Sequence, residues 1–255
     1  MLDFHKAKPI KRLAAYLIDL ILLLVITLGV VLGMYSAMDY QTYEQKYEMY
    51  CDKYGQLHGV DLSASRADQA ELSEAEQEKY MAAWEALNAD TDAIDSIKQM
   101  LRITLLSLIV GLFVAYVILE VMLPLIFKNG QTIGKKLLGL CVMHKYHVRV
   151  GVMQMIYRTI LGKYFIETMI PVVMLVLSNY GVLGTTASLV LSAIAMTQGF
   201  IVLMSQANCG IHDKIFNTVV ADFKKQHIFA TWNERFDFEE AYEKEMAERE
   251  GAYGG

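Results

Sequence analysis

The chain has 255 residues, a formal net charge of −5 and 55% hydrophobic residues, and its mean hydropathy is +0.30. That apolar share exceeds what one soluble core requires, and 17 glycines with 3 prolines are too few for a fibrous or disordered chain. The apolar residues fall in four blocks, 13–38, 103–127, 164–177 and 182–205, separated by segments that carry most of the charge.

Lys6, Lys8, Lys11 and Arg12 precede the first block, as they would a secretory signal. The apolar stretch is about twice a usual signal core, and Ser36-Ala37-Met38-Asp39 lacks a small-x-small cleavage pattern. An uncleaved membrane helix is therefore predicted. Arg12 opens it, and a rise of roughly 1.5 Å per residue places Asp19 about 10 Å deeper. A carboxylate at that depth is a functional candidate because hydrocarbon disfavours its charge.

Residues 39–98 carry fourteen acids against five bases, which suits the outer side of the membrane. Tyr40, Tyr43, Tyr47, Tyr50 and Tyr54 recur at spacings of three and four, so they share one helical face. Ser73-x-x-Glu76 reads as a capping box, and Tyr80, Trp84, Leu87, Ile94, Ile97 and Leu101 then form an apolar stripe. Gly55, Gly59 and residues 63–70 supply the connection. A helical hairpin is predicted, its tyrosines forming either an internal seam or a platform for a protein or sugar.

The second block contains Glu120, seven residues before Phe127, as Asp19 lies seven after Arg12. In helices of opposite direction the two acids reach matched depth. Residues 128–163 hold seven Lys or Arg and no acid, which places this loop and the N-terminus in the cytoplasm. Within it, 130–139 departs from a phosphate-binding loop, having three residues between its glycines and Lys136 where Ser or Thr is needed. No nucleophile, base and oxyanion set appears, so no enzyme activity and no cofactor are expected. Cys141-x-x-His144-x-x-His147 sits in a Val-rich segment that reads as a short β-hairpin, where residues three apart face opposite ways. That set, with Cys209-x-x-His212, is not assigned to a metal. Cys51 falls on the other side of the membrane from Cys141 and Cys209, which excludes an intrachain disulfide between the compartments.

Residues 152–161 form an amphipathic stretch expected along the interface, or else as an ordinary lead-in to the third span, with Gln154, Arg158 and Lys163 open to water or headgroups. The third block, 164–177, is short and holds Pro171, and reads as a short span or a re-entrant element. Ser178-Asn179-Tyr180-Gly181 turns the chain into the fourth block. Four crossings leave both termini in the cytoplasm, with Lys214, Lys224 and Lys225 beside the last exit. Glu167 enters just below the surface, His212 and Asp213 cap the last helix, and the acidic 239–250 tail reads as a solvated helix or a disordered tail.

Arg12 and Asp19, then Gly130-Gln131-Thr132-Ile133-Gly134-Lys135-Lys136-Leu137-Leu138-Gly139-Leu140, then His212-Asp213-Lys214 with Asn217-Thr218-Val219-Val220, resemble the RDD family of membrane proteins. The resemblance covers the first helix and most of 103–220. It implies that Arg12, Asp19 and Asp213 are the three residues for which the family is named, and it implies transport of small ligands or ions. The roughly sixty-residue outer insertion and the acidic tail at 234–250 depart from the commoner pattern.

The expected fold is all-α and multi-pass, of about four spans. It divides into 1–38, an acidic hairpin at 39–101, a membrane core at 102–222 and a tail at 223–255. The candidate ion or proton site is Arg12, Asp19, Glu120 and Asp213, supported by Lys135, Lys136, Arg158, Glu167 and His212. Asp19 and Glu120 can share a proton or hold a cation, or Arg12 can pair with an acid in a packing network. The expected function is plasma-membrane transport of a small solute or cation with proton coupling. The alternative is a noncatalytic scaffold that binds partners through the tyrosine hairpin. Expected partners are the bilayer, a further copy or another membrane protein, and the transported species, with no nucleic acid. A reporter fused after Gly255 is expected to read as cytoplasmic, and an extracellular reading overturns the four-span topology.

Overall fold

The three longest helices among the described residues turn their apolar side chains outward, the reverse of a water-soluble fold. In the computed structural model, which describes residues 7–63, 73–127, 129–180, 182, 189–190, 193 and 210–253, the chain runs α1 (Pro9–Ala37), α2 (Tyr40–His58), α3 (Glu74–Ala89), α4 (Thr91–Phe127), α5 (Ile133–Leu137), β1 (Leu140–His144), α6 (Val152–Asn179), α7 (Ile211–Ile215), β2 (Thr218–Asp222) and α8 (Trp232–Tyr253). Helices α1, α4 and α6 are each long and apolar enough to cross a bilayer. On α1 the buried residues are Ala15, Asp19, Leu23 and Thr27, one per turn, while Leu13, Leu17, Ile21, Leu24 and Leu28 are exposed. A stripe of that kind suits lipid, because outward leucines cost nothing against hydrocarbon and the inward face is free to be small and polar.

The protein is mostly helical, with one short sheet among the described residues. The fourth apolar block, 182–205, lies outside the described residues except at 182, 189–190 and 193, as do most of the expected 63–70 connection and Cys209. Residues 152–161 and 164–177, expected as an interfacial segment and a short third span, are instead one helix, α6, of 28 residues. From Arg158 to Met169 its backbone bonds follow the wide π pattern, and Pro171 enters at the start of the α-helical turns that follow. A proline there needs no N–H partner, so the helix continues through it.

The chain forms two compact units. In the unit Leu28–Gly111, α2 packs on α3 through Leu62, Ala83, Leu87 and Ala93, joined by Tyr47, Tyr50, Tyr54, Tyr80 and Trp84. The Tyr54 hydroxyl donates to Asp90 at 2.8 Å, and the Ser73 N–H donates to the Glu76 carboxylate at 2.9 Å, as the capping box predicts. Gly59 closes α2 in the left-handed region at φ 69°. Three of the five stripe tyrosines thus contribute to the seam between the helices.

The other unit is Met1–Thr27 with Leu112–Gly255. Leu23 of α1, Leu112, Ala115 and Leu119 of α4, and Tyr164 and Met169 of α6 form its helical core. Beside it β1 pairs antiparallel with β2, from Leu140 opposite Asp222 to His144 opposite Thr218. The sheet is covered on both faces. Leu140, Val142 and Val220 meet Ala7 and Ala15, while Cys141, Met143, Val219 and Ala221 meet Ile228. Two strands persist because neither face is left to solvent. The short hairpin expected around Cys141, His144 and His147 is present in part, since the His144 N–H donates to Val148 O.

Helix α8 carries the acidic tail and ties its first turns to this sheet. Trp232 lies 5.1 Å from His144, edge to face, and the Arg235 guanidinium lies 4.9 Å above the Tyr146 ring. Beyond them the helix is held by Arg235–Glu239, Lys244–Glu240 and Arg249–Glu245 pairs at i,i+4.

The tightest junction is at Gly134 in α5, where an added Cβ would lie 2.2 Å from the Ala15 carbonyl oxygen of α1. Gly134→Ala is expected to lower stability by about 2–3 kcal/mol. Gly29→Ala, which meets nothing within 4 Å, is expected to be neutral or stabilising. Thermal unfolding of the purified variants in detergent checks both, and equal melting for Gly134→Ala and wild type would refute the tight junction.

Candidate functional site

Each long helix of the larger unit brings a charged residue into its interior, and the loop elements bring the rest. Asp19 projects from the buried stripe of α1, and Glu120 from a π turn at Val117–Met122 in α4. Arg158 and Lys163 lie in the π stretch of α6. Lys135 comes from α5, and Asp213 from α7. The wide turns leave some backbone carbonyls without their usual partner. The Thr159 hydroxyl takes up one of them, donating to the Glu120 carbonyl at 3.1 Å.

The Asp19 carboxylate accepts the Thr132 hydroxyl on one oxygen and the Gly134 N–H, at 2.8 Å, on the other. Lys135 Nζ stands 3.9 Å from Asp19 Oδ2 and 4.0 Å from Glu120 Oε2. The other Glu120 oxygen accepts from Lys163, and Arg158 Nη1 lies 3.9 Å from Oε2. Arg158 donates through Nε and Nη2 to Asp213 Oδ1 at 3.0 and 2.7 Å, and through Nε to Thr218 Oγ1 at 3.1 Å. Thr218 in turn donates to Asp213 at 2.8 Å. Asp19, Glu120 and Asp213 are thereby set against Lys135, Arg158 and Lys163, three charges against three.

This balance makes the burial tolerable. An unpaired charge in such a place costs several kcal/mol, whereas a hydrogen-bonded, neutral cluster does not carry that penalty. Burial disfavours ionised Asp213, yet the Arg158 guanidinium overcomes it and holds the carboxyl well below the usual range. Burial pushes the Lys135 ammonium down from the ordinary 10.5 to about 8, against the pull of Glu120 and Asp19.

The structure brings Asp19, Glu120, Lys135, Arg158 and Asp213 into one network, with Glu167 and His212 joined at its edge. His212 Nδ1 lies 2.8 and 2.9 Å from the two Glu167 oxygens. Asp19 and Glu120 meet through the ammonium between them. Arg158, read as open to water or headgroups, is only 1% exposed. The reason is that Asp213 and Thr218, fifty-five and sixty residues on, satisfy its donors. Gln154 likewise turns inward, donating to Phe216 O at 2.6 Å. Lys136 lies outside the network, its ammonium 3.6 Å above the Phe127 ring. Arg12 is half-buried on α1, two turns before Asp19.

Sequence reasoning assigned no role to Thr132, Gly134, Thr159 or Thr218, and Lys163, read as open to water or headgroups, instead turns inward to pair with Glu120. Thr132 and Thr218 each stand inside a motif that was singled out, so their hydroxyls were legible as partners for buried acids. Burial pushes the Cys141 thiol up to about 12, and among the described residues no group of three His, Cys, Asp or Glu is arranged to hold a metal.

Comparison with known proteins bears on the same segments. The model of the RDD family matches residues 6–217. No curated protein and no solved structure matches the chain.

Because Asp213 is held below the ordinary carboxylate range when folded, its contribution to stability is complete above that range and is lost as pH falls beneath it. Asp213→Asn leaves Arg158 without its hydrogen-bonded charge partner, with only the longer contact to Glu120, and is expected to cost about 3–5 kcal/mol at neutral pH. It should also flatten the acid limb of stability. Melting measured from pH 7 to pH 3 tests this, and an unchanged acid limb in the variant counts against the pairing.

Proposed function

The chain belongs to the RDD family, and from its buried network we propose that it exchanges a small monovalent cation for protons across the plasma membrane. The observation that carries this reading is the Lys135 ammonium, 3.9 and 4.0 Å from the Asp19 and Glu120 carboxylates. It occupies the place where a cation bound by those two acids would sit.

When Lys135 gives up its proton, two carboxylate oxygens face a space that has lost its positive charge. Thr132 Oγ, 3.2 Å from Lys135 Nζ, adds a third oxygen. Oxygen donors of this kind suit hard cations such as sodium or lithium. One proton leaves as one cation enters, so the cluster keeps its charge and the exchange avoids leaving a bare charge in low dielectric. The lowered proton affinity of Lys135, about 8, makes the step accessible at mildly alkaline pH.

The excess of lysine and arginine in 128–163 supports placing this end of the molecule in the cytoplasm. Three spans among the described residues, with a fourth expected at 182–205, are few for a lone transporter, and a homo-oligomer follows from that. The scaffold reading draws less support, because Tyr47, Tyr50 and Tyr54 help pack α2 on α3.

Purified protein in liposomes, with internal pH followed under sodium, lithium and potassium gradients, tests the proposal. Wild type is expected to show cation-driven pH change that grows as pH rises through about 8. Asp19→Asn should lose it while remaining folded, and Lys135→Met should uncouple proton movement from the cation. Absence of flux in wild type, or full flux in Asp19→Asn, overturns the proposal.

A further inference from the structure

We propose that His212 is a proton-responsive switch that sets how Arg158 divides its guanidinium between Asp213 and Glu120, and thereby regulates the Lys135 site. Its consequence for transport rests on the exchange reading above, while the switch itself is a property of the network.

Helix α7 is seated directly on the π stretch of α6. An added Cβ on Gly162 would lie 2.7 Å from His212 Cβ. That contact places the imidazole between two acids on different elements. Nδ1 faces the Glu167 carboxylate of α6, which also accepts the His212 N–H at 3.1 Å. Nε2 faces Asp213 Oδ2 at 3.5 Å. Side-chain exposure falls from 22% at Glu167 to 13% at His212 and 3% at Asp213, a graded route from the surface to the ion network.

An ionised carboxylate can only accept a hydrogen bond, so Nδ1 carries the proton of the neutral ring. Nε2 then turns a lone pair toward Asp213. A second proton converts that repulsion into a charge-assisted hydrogen bond. The charged groups facing the ring are Glu167, Arg158 and Lys163 from α6 and its neighbour Asp213 on α7. Burial first, with Arg158 and Lys163, holds the ring below the ordinary histidine range, and the two acids oppose this.

Arg158 is the element able to transmit the change. Its Nε and Nη2 are committed to Asp213. Nη1 is buried, has no hydrogen-bond partner among the described residues, and lies 3.9 Å from Glu120 Oε2. An imidazolium competing for Asp213 loosens that commitment, and a movement of about 1 Å brings Nη1 into hydrogen-bond range of Glu120. Glu120 then draws less on Lys135, whose proton is released more readily. Linkage requires the reverse effect as well, so the state of Lys135 and Glu120 must alter proton binding at His212.

The full-length protein labelled with 15N-histidine, in detergent, reads this directly. His212→Gln identifies the ring among six histidines. Glu167→Gln removes a direct partner of the imidazolium and is expected to lower the His212 midpoint by about one pH unit. Glu120→Gln, which does not touch His212, should lower it by about half a unit. Arg158→Lys should abolish that second shift. Lys135→Met, with the opposite sign, raises the midpoint and serves as the second readout if Arg158→Lys fails to fold. A ring that does not titrate between pH 4 and 9, or midpoints indifferent to Glu120 and Lys135, overturns the switch. Absence of flux in wild-type liposomes would refute the exchange reading alone, because the midpoints decide the switch independently. If flux is present, His212→Gln should displace its pH profile, and a wild-type profile in that variant also overturns the switch.

Discussion

Charge neutrality in a low-dielectric interior is the constraint on which this structure depends. Asp19, Glu120, Lys135, Arg158 and Asp213 are all buried, and any one of them left alone would cost more than the packing around it returns. Each therefore needs an opposite charge from another element, and that need dictates close approach. Gly134 is a glycine because α5 must come within van der Waals contact of the Ala15 carbonyl for its N–H to reach Asp19. The short sheet serves the same end, since the pairing of Leu140 to Asp222 and His144 to Thr218 positions α5, which leads into β1, and α7, which leads into β2.

Helix regularity yields where these charges require it. Glu120 and the Arg158–Met169 segment lie in π turns, which redistribute backbone hydrogen bonds and alter side-chain direction at the expense of helix geometry. The Thr159 hydroxyl repairs part of that loss at the Glu120 carbonyl. Lipid tolerates the arrangement because the outward faces of the same helices carry Leu17, Ile21, Phe113 and Phe165, all exposed and apolar.

The spans of α1 and α4 were legible because hydropathy is local, and residue counting suggested that Asp19 and Glu120 come near one another, as they do about Lys135. The capping box at Ser73 and Glu76 was legible for the same reason. What escaped was non-local. Arg158 sits in a stretch with helical amphipathicity and reads as solvent-facing until Asp213 and Thr218 are folded against it. Val219 and Val220 cannot be recognised as a strand before β1 is known to lie alongside. Pro171 suggested a break because the π pattern ahead of it leaves no clear mark in composition.

The three cations of the network are not equivalent, and their differences assign their roles. Arg158 cannot lose its proton under physiological conditions and has a planar fork, so it suits the permanent, divided contact to Asp213 and Glu120. Lysine is a point charge that readily changes proton affinity when buried. Lys163 sits in direct hydrogen-bond contact with Glu120, which ties its charge to one acid. Lys135 is held at longer range between two acids, so that its proton is opposed by burial and supported by Coulomb attraction at about 4 Å and by one hydrogen bond to a neutral hydroxyl, Thr132 Oγ1. Of the cations buried here, it is the one whose departure leaves two acids and a hydroxyl converging on a single point, and whose replacement by another cation returns the cluster to neutrality.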